Sequence, residues 1–114
     1  MIIIQVKLLY IFLFVLSAIG LAWFFQSPKT EWIMPKELNE ISGIVFIDDH
    51  TLACVQDEKG IIFLYDLDKS EVTQRIKFAG NGDYEGIAIA GTDAYIVSGE
   101  GTLYEVDDFL NAAV

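Results

Sequence analysis

Asn81, Asp83 and Glu85 stand at alternate positions in the run FAGNGDYEGIAIAG, Phe78 to Gly91, and Gly86 follows them. Oxygen donors spaced this way ahead of a glycine make the first half of an EF-hand calcium loop. The second half is absent, because the twelfth position is Thr92 where a bidentate Glu is required. The same glycines suggest a phosphate-binding turn, but Gly80-x-Gly82-x-x-x-Gly86 is one residue longer than the dinucleotide fingerprint. It also leads into IAIA, which alternates and is β-branched, so no helix N-terminus would meet a pyrophosphate. No Gly-Lys-Ser or Gly-Lys-Thr of a P-loop occurs. The reading that remains is a turn leading into a β-strand, with its carboxylates on the loop.

The elements that would position those carboxylates are short strands. GIVFI (strand A, Gly43 to Ile47), TLACVQ (B, Thr51 to Gln56), IIFLYD (C, Ile61 to Asp66) and VTQRIKF (D, Val72 to Phe78) are separated by turn clusters. IAIA, AYIVS and TLYEV then follow in the same texture. Strands at this spacing, without helical periodicity, predict an all-β domain. In an up-and-down meander alternate loops share one end, so Glu40, Asp57, Glu58, Asp83, Glu85 and Glu100 are expected on one face. From these, Glu40, Asp57, Asp83 and Glu85 are the candidate metal ligands, and a hard cation such as Ca²⁺ is what such oxygens would take. Turn carboxylates are also common simply because turns are wet. His50, the single histidine, falls in DDHTL at the opposite loop end and reads as a turn residue. No nucleophile-and-base set is identifiable.

Composition limits the alternatives. The run Leu8 to Phe25 carries no charge, and eighteen helical residues span about 27 Å, near the thickness of a bilayer core. Lys7 precedes this run and Trp23 lies near its far end, as an interfacial indole should. Residues 1–25 therefore read as a membrane anchor. A cleaved signal peptide with Ala18 and Gly20 before the cut is the competing reading. Lys7 places the N-terminus in the cytoplasm, so the chain is expected as a single-pass protein of the cell membrane with its C-terminal domain outside the cytoplasm. Residues 26–114 hold all 17 acids and six of the seven bases, a formal charge of −11. That disfavours nucleic acid, whose phosphates need clustered Lys and Arg. Cys54 is the only cysteine, so no intramolecular disulfide can form, and it reads as a small core residue.

QSPKTEWIMPKEL, residues 26–38, reads as a linker and first edge strand, with Trp32 and Met34 packing on the domain. Residues 39–114 then repeat with an offset of 43: Gly43 matches Gly86, His50 matches Asp93, Leu52 matches Tyr95 and Asp57 matches Glu100. Gly60 matches Gly101 after a two-residue deletion, and the run from Phe63 matches that from Leu103. A period of about 40 to 45 residues with four strands is that of a β-propeller blade. The expected fold is thus a propeller fragment of about two four-stranded antiparallel blades behind one transmembrane helix. Gly43 and Gly86 open the innermost strands, where neighbouring blades crowd together.

Three elements carry a family resemblance: Glu40, Ser42, Gly43 and Ile44; Asp57, Glu58 and Gly60; Asp83, Glu85, Gly86 and Ile87. With them, Trp32 to Asp107 resembles the opening blades of the SdiA-regulated domain family. The resemblance implies a β-propeller held at the bacterial cell envelope behind a membrane or signal segment, and implies no particular reaction. Family members continue with further blades, and a propeller needs at least about four to close. The sequence therefore reads as a partial propeller, or as one whose copies sit side by side. The function expected is a module binding an unidentified ligand or envelope protein. The alternative is a divalent-cation-dependent hydrolase of the lactonase or phytase type, using channel-mouth carboxylates to hold an electrophilic cation.

Overall fold

The apolar N-terminal run folds as helix α1, Ile2–Phe24, in the computed structural model, which describes residues 1–24 and 27–112 and the side chains of 1–20 and 27–112. Ile2–Gly20 is long and apolar enough to cross a membrane, and none of it is buried against protein. The Ser17 hydroxyl donates to the Phe14 carbonyl at 2.7 Å, which satisfies that hydroxyl within the helix. Lys7, expected as a flank, lies inside α1, where its long stem can carry the ammonium outward. Phe25 and the side chain of Trp23 lie outside the described residues. Met1–Glu31 and Trp32–Val114 form two separate compact units.

The second unit is built from two antiparallel sheets. Sheet 1 contains β1 (Ile41–Phe46), β2 (Thr51–Gln56), β3 (Ile61–Asp66) and β4 (Glu71–Lys77), ordered as in the sequence. Sheet 2 contains β5 (Tyr84–Ala90), β6 (Asp93–Ser98) and β7 (Leu103–Val106), likewise in order. Among the described residues the second sheet has three strands, the number of strand segments that follow Phe78 in the sequence reading. The glycine-rich stretch leads straight into β5, whose first residues are Tyr84, Glu85 and Gly86.

The two ladders share a design. Each has a bulge two residues into its first strand, between Ile41 and Gly43 and between Tyr84 and Gly86. The partners then differ by one residue. Phe46 pairs with Leu52 whereas Ile89 pairs with Ala94, so Leu52 stands over Ala94 and not over Tyr95 as the sequence offset has it. The cause is the hairpin: Ile47 donates to Thr51 around the three residues Asp48 to His50, whereas Ala90 pairs with Asp93 around Gly91 and Thr92 alone. A second residue is lost before the third strand, where Cys54 pairs with Phe63 and Ile96 with Tyr104. The two-residue deletion is therefore split between two turns, and Phe63 stands over Tyr104 rather than Leu103.

Pleating gives each sheet two faces. On sheet 1, Leu52, Cys54, Phe63 and Tyr65 share the front, and Ala53, Val55, Ile62 and Leu64 share the back. The back of sheet 1 packs on the front of sheet 2 in one core, which contains Ala53, Val55, Ile62 and Leu64 with Ala94, Ile96 and Phe109. The front of sheet 1 holds a second core of Leu38, Leu52, Cys54, Phe63 and Tyr65, with Met34 packed on it. Covered on both faces, β2 and β3 are apolar and buried along their centres, Leu52–Val55 and Ile62–Leu64, while β4 alternates because one face is wet.

The cover comes from Trp32 to Leu38, and it forms no strand. Pro35, at φ −66°, starts a single 3-10 turn, Lys36–Leu38, with the Leu38 amide donating to the Pro35 carbonyl at 2.9 Å. Prolines at 28 and 35 each remove a ladder donor, and the segment docks by side chains instead. Trp32 Nε1 donates to the Leu67 carbonyl at 2.9 Å. Arg75 on β4 clamps Glu37 through both carboxylate oxygens, Nε to Oε2 at 2.6 Å and Nη2 to Oε1. The independently packed unit accordingly begins at Trp32, ahead of the boundary expected at residue 39.

Candidate functional site

The starts of β1, β3, β5 and β7 and the ends of β2, β4 and β6 lie at one end of the sheets, as the alternating strand directions require. Glu40, Asp57, Glu58, Asp83, Glu85 and Glu100 are in or beside these termini. Within that set the structure selects a smaller one. One carboxylate oxygen from each of Glu40, Asp57 and Glu58 falls in a group whose members are all within 4.8 Å of one another.

The backbone builds this group. The Asp57 amide donates to the Glu40 carbonyl at 3.2 Å, closing the end of the β1–β2 ladder. Glu40 takes a positive φ of 60°, the left-handed region that non-glycine residues seldom occupy. The turn after β2 is held by Gln56, a buried side chain whose Oε1 accepts from the amides of Glu58 at 2.8 Å and Lys59 at 2.5 Å. Asp57 Oδ1 is inaccessible to solvent and has no hydrogen-bond partner. An ionised oxygen so placed is costly unless something neutralises it.

Sheet 2 is tied to the same turn. The Tyr84 amide donates to the Asp57 carbonyl and the Gly82 amide to the Glu58 carbonyl, both at 2.8 Å. Tyr84 is buried, and its hydroxyl donates to the Gly80 carbonyl at 2.6 Å. Its ring meets Phe78 edge-on, centroids 5.1 Å apart, and Tyr104 at 5.9 Å. Burial of the phenol, and the neighbouring Tyr104, hold its pKa above the ordinary value. Gln56 and Tyr84 were not singled out in the sequence as positioning residues; a polar residue ending an apolar strand just before a turn was the available signal for Gln56.

Asp83 and Glu85 do not join the three-carboxylate group. Both side chains lie against Gly99: a β-carbon there would stand 3.1 Å from Glu85 Oε1 and would collide with Asp83 Oδ2. The four expected ligands thus divide into Glu40 and Asp57 on sheet 1 and Asp83 and Glu85 on sheet 2. Glu58 takes a place in the first group.

Carboxylates also populate the opposite end. Asp93, Glu105 and Asp107 form a second group within 4.8 Å. Two of its carboxylates already accept hydrogen bonds from neighbours: Asp93 Oδ1 from the Asp108 amide at 2.9 Å, and Glu105 Oε1 from the Tyr95 hydroxyl at 2.7 Å. The hydrogen bond to Glu105 raises the Tyr95 pKa. His50, also at this end, pairs with Asp68 at 2.9 Å between two exposed loops. Acidity alone therefore does not mark one end of the sheets. What sets the Glu40 group apart is the unpartnered Asp57 oxygen. Three acceptor-only groups can bind and neutralise a hard cation, but they fall short of the six to eight oxygens Ca²⁺ takes.

A shallow groove of about 280 Å³ lies on the back of sheet 2, lined by Gly86, Ile87, Ala88, Tyr95, Val97 and Leu103. It is apolar and open. Comparison of the chain with family models, with curated proteins and with solved structures gives no match.

Proposed function

We propose that the protein is a membrane-tethered binding module whose two sheets are consecutive units of a β-propeller of the SdiA-regulated type. The observation that carries this reading is the stacking of two like sheets, back on front, with a bulge at the same point of each first strand. The apolar helix α1 supports a tether in the cell membrane, and Lys7 near its start favours an outward-facing C-terminal domain. The module binds an envelope protein or small ligand at the strand ends where Glu40, Asp57 and Glu58 meet. Fusion of a reporter active only outside the cytoplasm to the C-terminus of the full chain tests the topology. Activity with membrane retention is expected; a silent, membrane-bound fusion would reverse the orientation.

A second reading, a divalent-cation site of the kind hydrolytic propellers use, is favoured by one observation, the buried and unpartnered Asp57 Oδ1. Calcium titrated into the full chain in detergent should raise its melting temperature, and Asp57→Asn should remove the rise. An unchanged melting temperature at millimolar Ca²⁺ and Mg²⁺ removes this reading and leaves the binding module standing.

A further inference from the structure

The strand end that holds Glu40, Asp57 and Glu58 carries a second concave surface, a pocket of about 220 Å³. Lys59, Gly60 and Ile61 line it from the start of β3, and Lys77, Ala79 and Asn81 from the end of β4 and the loop beyond. Its charge is opposite to that of its surroundings. The chain after α1 is strongly acidic, yet this pocket is lined by two bases and no acid. Neither ammonium has a carboxylate within 4.0 Å among the described residues, whereas Lys69 pairs with Asp66 and Arg75 with Glu37. Glu37 feels the Lys59 charge, but both its oxygens are already held by Arg75.

The backbone fixes the two lysines in advance. The Lys59 amide donates to Gln56 Oε1 at 2.5 Å, and the Lys59 carbonyl accepts from the Ile61 amide at 2.9 Å. Lys77 pairs with Ile61 in the β3–β4 ladder. The Gly60 carbonyl accepts from the amides of Phe78 at 2.9 Å and Ala79 at 3.2 Å, which ties the two sides together. A β-carbon on Gly60 would collide with the Ala79 carbonyl, so only glycine permits this approach. The amides of Gly80 and Asn81 donate to no backbone acceptor among the described residues.

We propose that this pocket binds a phosphate group. Two ammoniums bring the charge and three donors each, and the unused amides add more. A planar carboxylate is matched best by a guanidinium fork, and the pocket has none; a lysine holds phosphate as a point charge. The surrounding acids repel an anion at longer range, so binding depends on these short contacts. The site goes beyond the binding-module reading: it takes an anion where the Glu40 group would take a cation, and either can fail without the other.

The test is a titration of inorganic phosphate into the isotope-labelled full chain in non-ionic detergent at neutral pH, against sodium chloride at matched ionic strength. The amide resonances of Gly80 and Asn81 should move to saturation with phosphate and stay in place with chloride. Lys59→Gln and Lys77→Gln should each weaken binding about tenfold, as the loss of one hydrogen bond to a charged group does. Lys69→Gln makes the same change in net charge at the opposite end of the sheets and should bind phosphate as the parent does. All three lysines are exposed, so the changes should leave the fold intact. Glycerol phosphate identifies the source: tighter binding than inorganic phosphate points to a monoester, equal or weaker binding to the free ion, and both support the proposal. Shifts reproduced by chloride, an equal response to succinate, equal weakening by Lys69→Gln, or no movement of the Gly80 and Asn81 resonances would each overturn it.

Discussion

A β-carbon built on Gly43 would stand 2.9 Å from the α-carbon of Gly86 and 3.0 Å from the Ile87 nitrogen. The two glycines that follow the bulges of β1 and β5 are therefore the point where the backbones of the two sheets meet. The contact is one-sided, since a β-carbon on Gly86 would meet only Val97 Cγ1, at an ordinary 3.7 Å. Gly43→Ala should lower stability by about 1–3 kcal/mol, the usual cost of overpacking a tight contact. Gly86→Ala should stay within about 0.5 kcal/mol of the parent, as a substitution with room around it does. Denaturant unfolding of the full chain in detergent measures both, and equal losses would contradict the one-sided geometry.

Glu40 bears on whether its strained backbone serves structure or binding. Its left-handed conformation costs a non-glycine residue about 1–2 kcal/mol. Glu40→Gly should relieve part of this and be more stable than Glu40→Ala by up to about 1 kcal/mol, read from unfolding midpoints. If Ala and Gly are equivalent at this position, the positive φ is wrong.

The clamp between Glu37 and Arg75 should make the Trp32–Leu38 cover sensitive to acid. The hydrogen bonds from Arg75 hold the Glu37 carboxyl below its usual value, and the nearby guanidinium charge adds to the effect. A group whose pKa is lower folded than unfolded lends its stability above the unfolded value, and loses it as pH falls through the folded one. Hydrogen exchange at the Leu38 amide should accelerate relative to the β3 core below the ordinary carboxylate range, and Arg75→Gln should abolish that pH dependence. Both partners are partly solvated, so the effect is local rather than a large change in global stability.

Cys54 offers a probe of the front core. Burial pushes its thiol up to about 11. At pH 8 the thiolate fraction is then roughly a hundredfold below that of an unperturbed cysteine, before burial restricts access further. A thiol reagent should leave the folded chain unlabelled and react promptly after denaturation. Fast labelling of the folded protein would mean that Met34 and Leu38 do not seal this face.

Local chemistry determined much of this protein. A long uncharged run must be a helix free of a domain core, and Thr51–Gln56 and Ile61–Asp66 emerge with the boundaries that their flanking turn residues mark. The shared end of the strands and the use of Gly43 at a close approach follow from alternation and strand direction. Only the tertiary structure decided what depends on distant parts of the chain. It replaced an expected strand in residues 26–38 with a cover of Met34 and Leu38, because prolines break the ladder while apolar side chains can still dock. It placed Glu58 beside Glu40 and Asp57 and turned Asp83 and Glu85 toward Gly99. It divided the two lost residues between two hairpins, moving Leu52 from Tyr95 to Ala94. Periodicity reports which side chains share a face; which face meets which, and which carboxylates converge, is settled when separate ladders pack, and no local pattern contains that information.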